Sequence, residues 1–173
     1  MVNVFCVNTG TSKLFPEGVS LMEILPSFEL EMPYPIIAAK VNNVTQGLKY
    51  RVFNTRSVEF LDYTSYIGRS VYCNSLCFLL CKAARDVFPE CRVVLRRPIS
   101  KGYFCTIAKV DNSVLSYSDL DKLTIRMREM VESDIPFRRH EVRTEDAIEL
   151  FKNMGYDDKV KLMQSTGDVD VKY

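Results

Sequence analysis

Residues 1–63 alternate short apolar stretches with turn-forming residues, a pattern typical of short β-strands. Ser20 precedes Glu23 by three residues, and this capping-box spacing predicts a short helix that starts at Leu21. The resulting order is two strands, one helix and three strands, which predicts a small sheet with the helix across one face. The predicted strands are residues 2–7, 12–15, 36–41, 51–53 and 57–63.

From residue 66 onward the chain has the pattern of longer helices. Pro89 is expected to end the first of them, because proline cannot continue the helical hydrogen-bond ladder. Ser118 is predicted to cap the second helix, while Thr144 opens the third and Gly155 ends it. The predicted helices are residues 70–88, 119–133, 144–154 and 157–164, and the predicted strands are residues 92–95, 103–110 and 137–142.

These elements predict an α+β fold with two domains. Residues 1–63 have the element order of a β-grasp (ubiquitin-like) domain, and residues 66–173 form a second α+β domain. The connection at residues 64–68 is a short joint rather than a flexible linker, so we expect the two domains to pack against each other.

The composition fits a folded protein and excludes several classes. Of the 173 residues 47% are hydrophobic and 26% are charged, which excludes a disordered chain. No apolar run approaches the ~20 residues of a membrane helix, and the N-terminus lacks the features of a secretory signal. Six cysteines show no paired CxxC spacing, so a reduced, cytoplasmic protein is expected.

His140 is the single histidine of the chain. Histidine-rich metal sites and histidine dyads are therefore excluded within these residues. His140 lies between Arg139 and Glu141 on a predicted strand, where an exposed residue without a catalytic role is expected.

Basic residues concentrate in the middle of the chain. Residues 66–110 carry eight basic and two acidic side chains, whereas residues 111–173 carry ten basic and fourteen acidic ones. Two interpretations stay open for these charges, especially for Arg92, Arg96, Arg97 and Lys101: they are solvated or paired with the acidic tail, or they form a local anion site for a phosphate or nucleotide. The net charge of +1 argues against extensive nucleic-acid binding.

Cys73, Cys77 and Cys81 recur every four residues and form one stripe of the first long helix. Three thiolates are candidates for a zinc or iron–sulfur site. We interpret the stripe instead as small apolar residues packed against a sheet, because no fourth ligand is evident in the sequence. No metal is therefore expected.

Two stretches of the chain resemble modules of known proteins. Residues 4–7, 15–24 (FPEGVSLMEI) and 38–43 (AAKVNN) resemble a TGS domain, the β-grasp module of threonyl-tRNA synthetase and some GTPases. The segments LLCKAARDVFP, KGYF and the helix at 119–133 resemble the second domain of threonyl-tRNA synthetase, whose relatives edit mischarged tRNA.

The editing family carries H-x-x-x-H on the first helix of that domain, so that two imidazoles share one helix face. In this chain the two positions fall on Asn74 and Phe78, and neither side chain performs the work of an imidazole. The resemblance therefore implies that editing chemistry has been lost and that the chain has no catalytic residue. The family's later C-x-x-x-H is absent or lies beyond Tyr173, so we expect the second domain to be truncated.

The segments SLCFLLCKA (75–83) and RPISKGYFC (97–105) are similar to the N-terminal region of bacterial uridine kinase-like nucleoside kinases. This resemblance implies a non-catalytic regulatory or ligand-binding module whose partner is its own downstream kinase domain. The parent transfers phosphate from a nucleoside triphosphate to a nucleoside and uses ATP and Mg²⁺. The chain itself has no phosphate-binding loop and no cofactor, because Gly10-Thr11-Ser12-Lys13 lacks the two-glycine spacing.

The candidate ligand-binding residues follow from the position of the editing cleft in these relatives. Asn74 is expected to hydrogen-bond a polar ligand, Phe78 or Tyr103 to stack on a planar base, and Arg97 and Lys101 to meet a phosphate. A nucleotide or other small-molecule effector is the expected ligand, and neither a membrane nor a nucleic acid is favoured as a partner.

Two alternatives stay open. The alternative to a ligand pocket is that Phe78 fills the pocket and turns it into core. The alternative to a kinase module is a degenerate editing-like domain or an RNA- or protein-binding adaptor related to threonyl-tRNA synthetase.

Overall fold

In the computed structural model, which describes residues 1–99 and 102–172, the N-terminal part folds around a five-stranded mixed sheet. Its strands and two short ones beside it are β1 (Val2–Cys6), β2 (Thr11–Phe15), β3 (Val19–Ser20), β4 (Ala38–Val41), β5 (Val44–Gln46), β6 (Arg51–Val52) and β7 (Arg56–Leu61). The strand order is β2-β1-β7-β4-β5, with β1 parallel to β7 and the other neighbours antiparallel. The short strands β3 and β6 pair separately.

Helix α1 (Leu21–Ile24) covers one face of this sheet and continues into a 3₁₀ turn, Leu25–Phe28. The predicted capping box is confirmed: the Ser20 side chain accepts the Glu23 N–H, and the Glu23 carboxylate accepts the Ser20 N–H at 2.8 Å. The inward residues of strands and helix form the first core, made of Val2, Val4, Cys6, Leu21, Ile24, Phe28, Ala39, Val41, Val52, Val58 and Phe60.

The next elements are α2 (Tyr66–Val87), β8 (Arg92–Ile99), β9 (Gly102–Ala108) and α3 (Tyr117–Glu132). Two predicted helix starts are wrong. Helix α2 begins four residues earlier than expected, because the Ser65 side chain accepts the Gly68 N–H at 3.0 Å and caps it there. Helix α3 is capped by Ser116 rather than Ser118, since the Ser116 hydroxyl accepts the Asp119 N–H at 3.2 Å.

A second core lies between these helices and the antiparallel β8–β9 hairpin. It consists of Ala83, Ala84, Cys91, Leu123 and Met130, with Leu79, Val87, Phe88, Val93, Ile107 and Met127 packed against it. The two cores lie on either side of residues 64–65, where the sequence places the domain boundary. The boundary itself stays a prediction.

The chain divides into two compact units, Met1–Met130 and Val131–Tyr173. The second unit contains β10 (Glu141–Arg143), α4 (Thr144–Asn153), α5 (Asp157–Thr166) and β11 (Asp170–Lys172). Strand β10 is shorter than the predicted strand at 137–142 and ends one residue later, because its partner β11 reaches only three of its residues. Gly155 ends the third long helix with a positive φ of 74°, as the sequence predicts.

Taken together, these elements form an α+β fold. Within residues 1–99 and 102–172, no helix has the length and the apolar character needed to cross a membrane.

Candidate functional site

Helix α2 presents Asn74 and Phe78 one turn apart on an exposed stripe. Phe78 retains 65% of its accessible surface. The alternative in which Phe78 fills a pocket and becomes core is therefore wrong. The reason is local: the adjacent stripe with Cys73 and Cys77 faces the protein, and Phe78 lies about 100° further around the helix.

The cysteine stripe of α2 lies on a half-buried side of the helix. Cys73, Cys77 and Cys81 are half-buried. Burial raises the pKa of the Cys77 thiol, and the neighbouring thiols Cys73 and Cys105 raise this pKa further. The half-burial of the three thiols agrees with the packing interpretation. Among residues 1–99 and 102–172, no three His, Cys, Asp or Glu side chains form a group that could hold a metal ion.

The register of the hairpin places Tyr103 on the same side as α2. Leu95 pairs with Cys105, and side chains two residues apart on a strand share a face. Tyr103 therefore lies on the face that carries Cys105 toward the helix, nearer to the hairpin turn. It is 43% exposed. The structure thus brings the predicted Tyr103 to the side of the hairpin on which Asn74 and Phe78 lie.

Arg97 and Lys101 are the remaining two predicted site residues. Lys101 lies outside the described residues, and of Arg97 the structure gives the backbone, in strand β8, but not the side chain. Their proposed contact with a phosphate stays a prediction.

Ion pairs connect helix α2, which carries Asn74 and Phe78, to helix α3. Arg126 of α3 donates from Nε and Nη2 to Asp86 Oδ2 of α2, at 2.9 and 2.8 Å. Lys82, one turn before Asp86, also donates to this carboxylate. The hydrogen bond from Lys82 lowers the pKa of Asp86, and the Arg126 guanidinium lowers it further. The carboxylate is ionised at neutral pH and holds the helix pair in place.

Asp62 organises the joint that leads into α2. Its buried carboxylate accepts hydrogen bonds from the backbone N–H groups of Thr64, at 2.9 Å, and Tyr34, at 3.3 Å. Gly68 is equally constrained, because a Cβ there would lie 1.8 Å from the Asp62 carbonyl oxygen. Neither role was predictable from the sequence, since both depend on how the chain turns at residues 62–68.

A shallow depression in the first domain lies outside every prediction made from the sequence. It is lined by Asn8, Thr9, Glu29, Leu30, Glu31, Met32 and Pro33. Asn8 has a structural role there, because its amide donates to the Phe60 carbonyl at 3.0 Å and accepts the Phe60 N–H at 2.8 Å. His140, in the second unit, is exposed, as expected.

The chain is similar to parts of threonine–tRNA ligases. It is 28% identical over 158 residues to the ligase of Geobacter sp. (strain M21), covering 91% of this chain and 24% of the ligase. It is 24% identical over 162 residues to the ligase of Clostridioides difficile (strain 630), covering 94% of this chain and 25% of the ligase. The ligase of Citrifermentans bemidjiense is 27% identical over 158 residues, with 91% and 24% covered. No model of a known protein family matches the chain.

The chain spans about a quarter of the length of these curated relatives. The similarity supports a threonyl-tRNA synthetase-like region with an α+β fold. It favours the editing-like or RNA-binding alternative over a regulatory module of a kinase. The expected uridine kinase parent, with its ATP and Mg²⁺, finds no support in these relatives.

Proposed function

We propose that the chain is a non-hydrolytic tRNA-binding module of the threonyl-tRNA synthetase type. Residues 1–63 act as a TGS-like β-grasp domain. Residues 66–173 act as an editing-like domain that lacks the two histidines of the editing family. The relatives named above are ligases that act on threonine and tRNA, and their similarity extends over both parts of this chain. We propose a tRNA partner for this chain, but not the ligase reaction.

The observation that carries the proposal is the exposed stripe of Asn74 and Phe78 on α2. The two residues stand one turn apart at the positions where the editing family has its two histidines. Neither can act as a general base or bind zinc as an imidazole does. The stripe keeps an exposed amide and an aromatic ring, which suit binding without hydrolysis.

The chemistry of the stripe fits the single-stranded end of an RNA. Phe78 offers an aromatic ring on which a base can stack, and stacking is tolerant of base identity. Tyr103, on the α2-facing side of the hairpin, adds a second ring with a hydroxyl group. Asn74 adds a hydrogen-bond donor and an acceptor for a base edge or a ribose hydroxyl.

The β-grasp assignment is supported by the strand order. A parallel pair, β1 and β7, lies in the centre of the five-stranded sheet, with antiparallel strands outside it and one helix packed on the inner face. The element order matches the one that the sequence predicts, apart from the short strands β3 and β5. We propose that this domain positions the editing-like domain on the tRNA.

Binding to a fluorescently labelled threonine-specific tRNA, measured by anisotropy at fixed salt, tests the proposal. We expect Phe78→Ala and Tyr103→Ala each to weaken binding by about tenfold, the order expected for the loss of one base–aromatic contact. Tyr117→Ala is the matched control, because Tyr117 is an exposed tyrosine at the start of α3. It should leave the affinity unchanged within about twofold, since it removes a ring of the same size away from the stripe.

A second measurement tests the loss of hydrolysis. The wild-type chain is expected to leave a mischarged tRNA ester intact at the rate of buffer alone. Faster hydrolysis would overturn the non-hydrolytic part of the proposal. Undetectable binding of the tRNA by the folded wild-type chain would overturn the function itself.

A further inference from the structure

The face of the β8–β9 hairpin that points away from α2 carries a separate set of side chains. Val93 pairs with Ile107, and both pack against the second core. Since successive residues of a strand point to opposite faces, their neighbours lie on the other face. This second face, the hairpin outer face, consists of Arg92, Val94, Phe104, Thr106 and Ala108, and Arg96 adjoins it at the register shift of β8 between Leu95 and Pro98.

The hairpin outer face is open to solvent. Arg92 and Arg96 are exposed, and Phe104 retains 48% of its accessible surface. Val94 and Thr106, which pair in the middle of the hairpin, are half-buried. Val94 is not among the apolar residues that pack against the second core. Phe104 lies opposite residues 96–97, so an exposed ring stands beside the exposed Arg96, while Arg92 lies further along β8.

Several other cations of residues 66–130 form ion pairs. Lys82 and Arg126 are paired with Asp86, and Lys109 with Asp119. Arg92 and Arg96 form no ion pair with any carboxylate in residues 1–99 and 102–172. Their charges are therefore available to an anionic partner.

The spacing of these groups suits a strand of RNA. Four residues separate Arg92 from Arg96, which corresponds to about 13 Å along a β-strand and lets the two guanidinium groups reach different phosphates. Arginine binds phosphate oxygens with two parallel N–H bonds. Phe104, on the neighbouring strand close to Arg96, offers a ring for a base, and bases of a duplex are not free to stack on a side chain.

We propose that the hairpin outer face binds a single-stranded segment of RNA, with Arg92 and Arg96 on two phosphates and Phe104 stacked on a base. This inference rests on the proposed RNA-binding function and assigns it a second contact surface. The surface is distinct from the Asn74–Phe78 stripe, because the two lie on opposite sides of the hairpin.

The probe is a fluorescein-labelled oligouridylate, titrated with the full chain at several salt concentrations. We expect the double variant Arg92→Gln/Arg96→Gln to reduce the slope of log K against log salt by about 1.4, since each phosphate contact of a single strand contributes roughly 0.7. Phe104→Ala should weaken binding about tenfold and leave the slope unchanged, because it removes stacking and no charge. Circular dichroism confirms that each variant is folded.

Two variants serve as controls. Arg128→Gln removes an exposed arginine from α3, and Phe53→Ala removes an exposed phenylalanine from the first domain. Both should keep the wild-type affinity and slope. A change of slope in Arg128→Gln equal to that of one hairpin arginine would contradict the assignment to this face.

The inference is overturned if the wild-type chain does not bind oligouridylate, or if the double variant keeps both affinity and slope. Equal affinity for a duplex of the same length, unaffected by Phe104→Ala, overturns it as well. Failure of the proposed function has a different signature. A chain that binds oligouridylate through Arg92 and Arg96 but does not bind tRNA contradicts the proposed function and supports this inference.

Discussion

Lys109 Nζ lies 2.9 Å from Asp119 Oδ2, and this pair ties the end of β9 to the first turn of α3. The same carboxylate oxygen accepts the Ser116 N–H at 3.0 Å, while the Ser116 hydroxyl accepts the Asp119 N–H. Asp119 therefore completes the cap of α3 and binds the lysine at once. Both side chains are largely buried, so few of these bonds compete with water.

The pH dependence of stability follows from this cap. The Ser116 N–H and then Lys109 lower the pKa of Asp119 from 3.8 to about 2. Because the folded state releases this proton more readily than the unfolded chain, ionised Asp119 stabilises the fold above about pH 4. This stabilisation should be lost as the pH falls from about 4 to about 2. Urea unfolding at a series of pH values measures it.

Two variants separate the causes of this shift. Asp119→Asn should remove this part of the pH dependence. Lys109→Met should raise the pKa of Asp119 while leaving it below 3.8, because the Ser116 N–H bond remains. The carboxyl pKa is measured by NMR titration. An unchanged pKa in Lys109→Met would show that the ion pair does not form in solution.

Gly68→Ala should destabilise the protein strongly, although alanine is the better helix former. The new Cβ would lie 1.8 Å from the Asp62 carbonyl oxygen, a backbone atom that cannot rotate away. We expect a loss of about 3 kcal/mol in the free energy of unfolding, at the upper end of typical overpacking costs. Chemical denaturation measures this loss.

Gly47→Ala is the matched control for that prediction, since no atom lies within 4 Å of a Cβ at Gly47. It should leave stability unchanged or raise it by up to about 1 kcal/mol, because alanine restricts the unfolded chain. Equal effects of the two substitutions would refute the close approach of α2 to the Asp62 carbonyl.

The double variant Asn74→His/Phe78→His tests the geometry of the α2 stripe. Two imidazoles one turn apart on an exposed helix face should bind Zn²⁺ together. At a Zn²⁺ concentration about 100-fold above its Kd, the ion should stabilise this variant by about 2.7 kcal/mol. Thermal unfolding with and without Zn²⁺ measures the effect. Asn74→His/Leu76→His places the rings on different faces and should show little response.

Cys77 should react slowly with alkylating reagents. Burial and the nearby thiols raise its pKa, so less thiolate is present at a given pH. The pH–rate profile for Cys77, followed by mass spectrometry, should have its inflection above that of the same residue in concentrated urea. In Cys105→Ser the inflection should move to lower pH. If the inflection in the folded protein lies at or below the pH of the inflection in urea, burial and the neighbouring thiols do not raise the pKa of Cys77.

Local signals predicted the parts of the fold that local chemistry determines. The capping box of Ser20 and Glu23 located α1, and the glycine at 155 located the end of a helix. The start of α2 was missed, because Ser65 caps it through the N–H of a glycine and no acidic residue marks the first turn. The strand at 137–142 was misplaced, because its extent depends on β11, more than 25 residues away.

The candidate site was likewise predictable only where local spacing determines it. The resemblance to the editing family identified Asn74 and Phe78, and their four-residue spacing placed them on one face of a helix, but neither revealed that this face is exposed. The position of Tyr103 relative to α2 depends on the register of β8 with β9, which the sequence does not specify. Arg92 and Arg96 belong to the basic segment that the sequence marks as a candidate anion site, but their placement near Phe104 was not predicted, because Phe104 comes from the other strand of the hairpin.

The aromatic contacts at the joint involve tyrosines, which give the protein an intrinsic fluorescence. The rings of Tyr34, Tyr63 and Tyr72 form two edge-to-face pairs, with centroids 6.1 and 5.1 Å apart, and Arg69 covers Tyr63. The chain contains no tryptophan. Tyrosine emission is thus not drained by energy transfer to indole, and these three rings contribute to the fluorescence of the unlabelled chain together with the other six tyrosines.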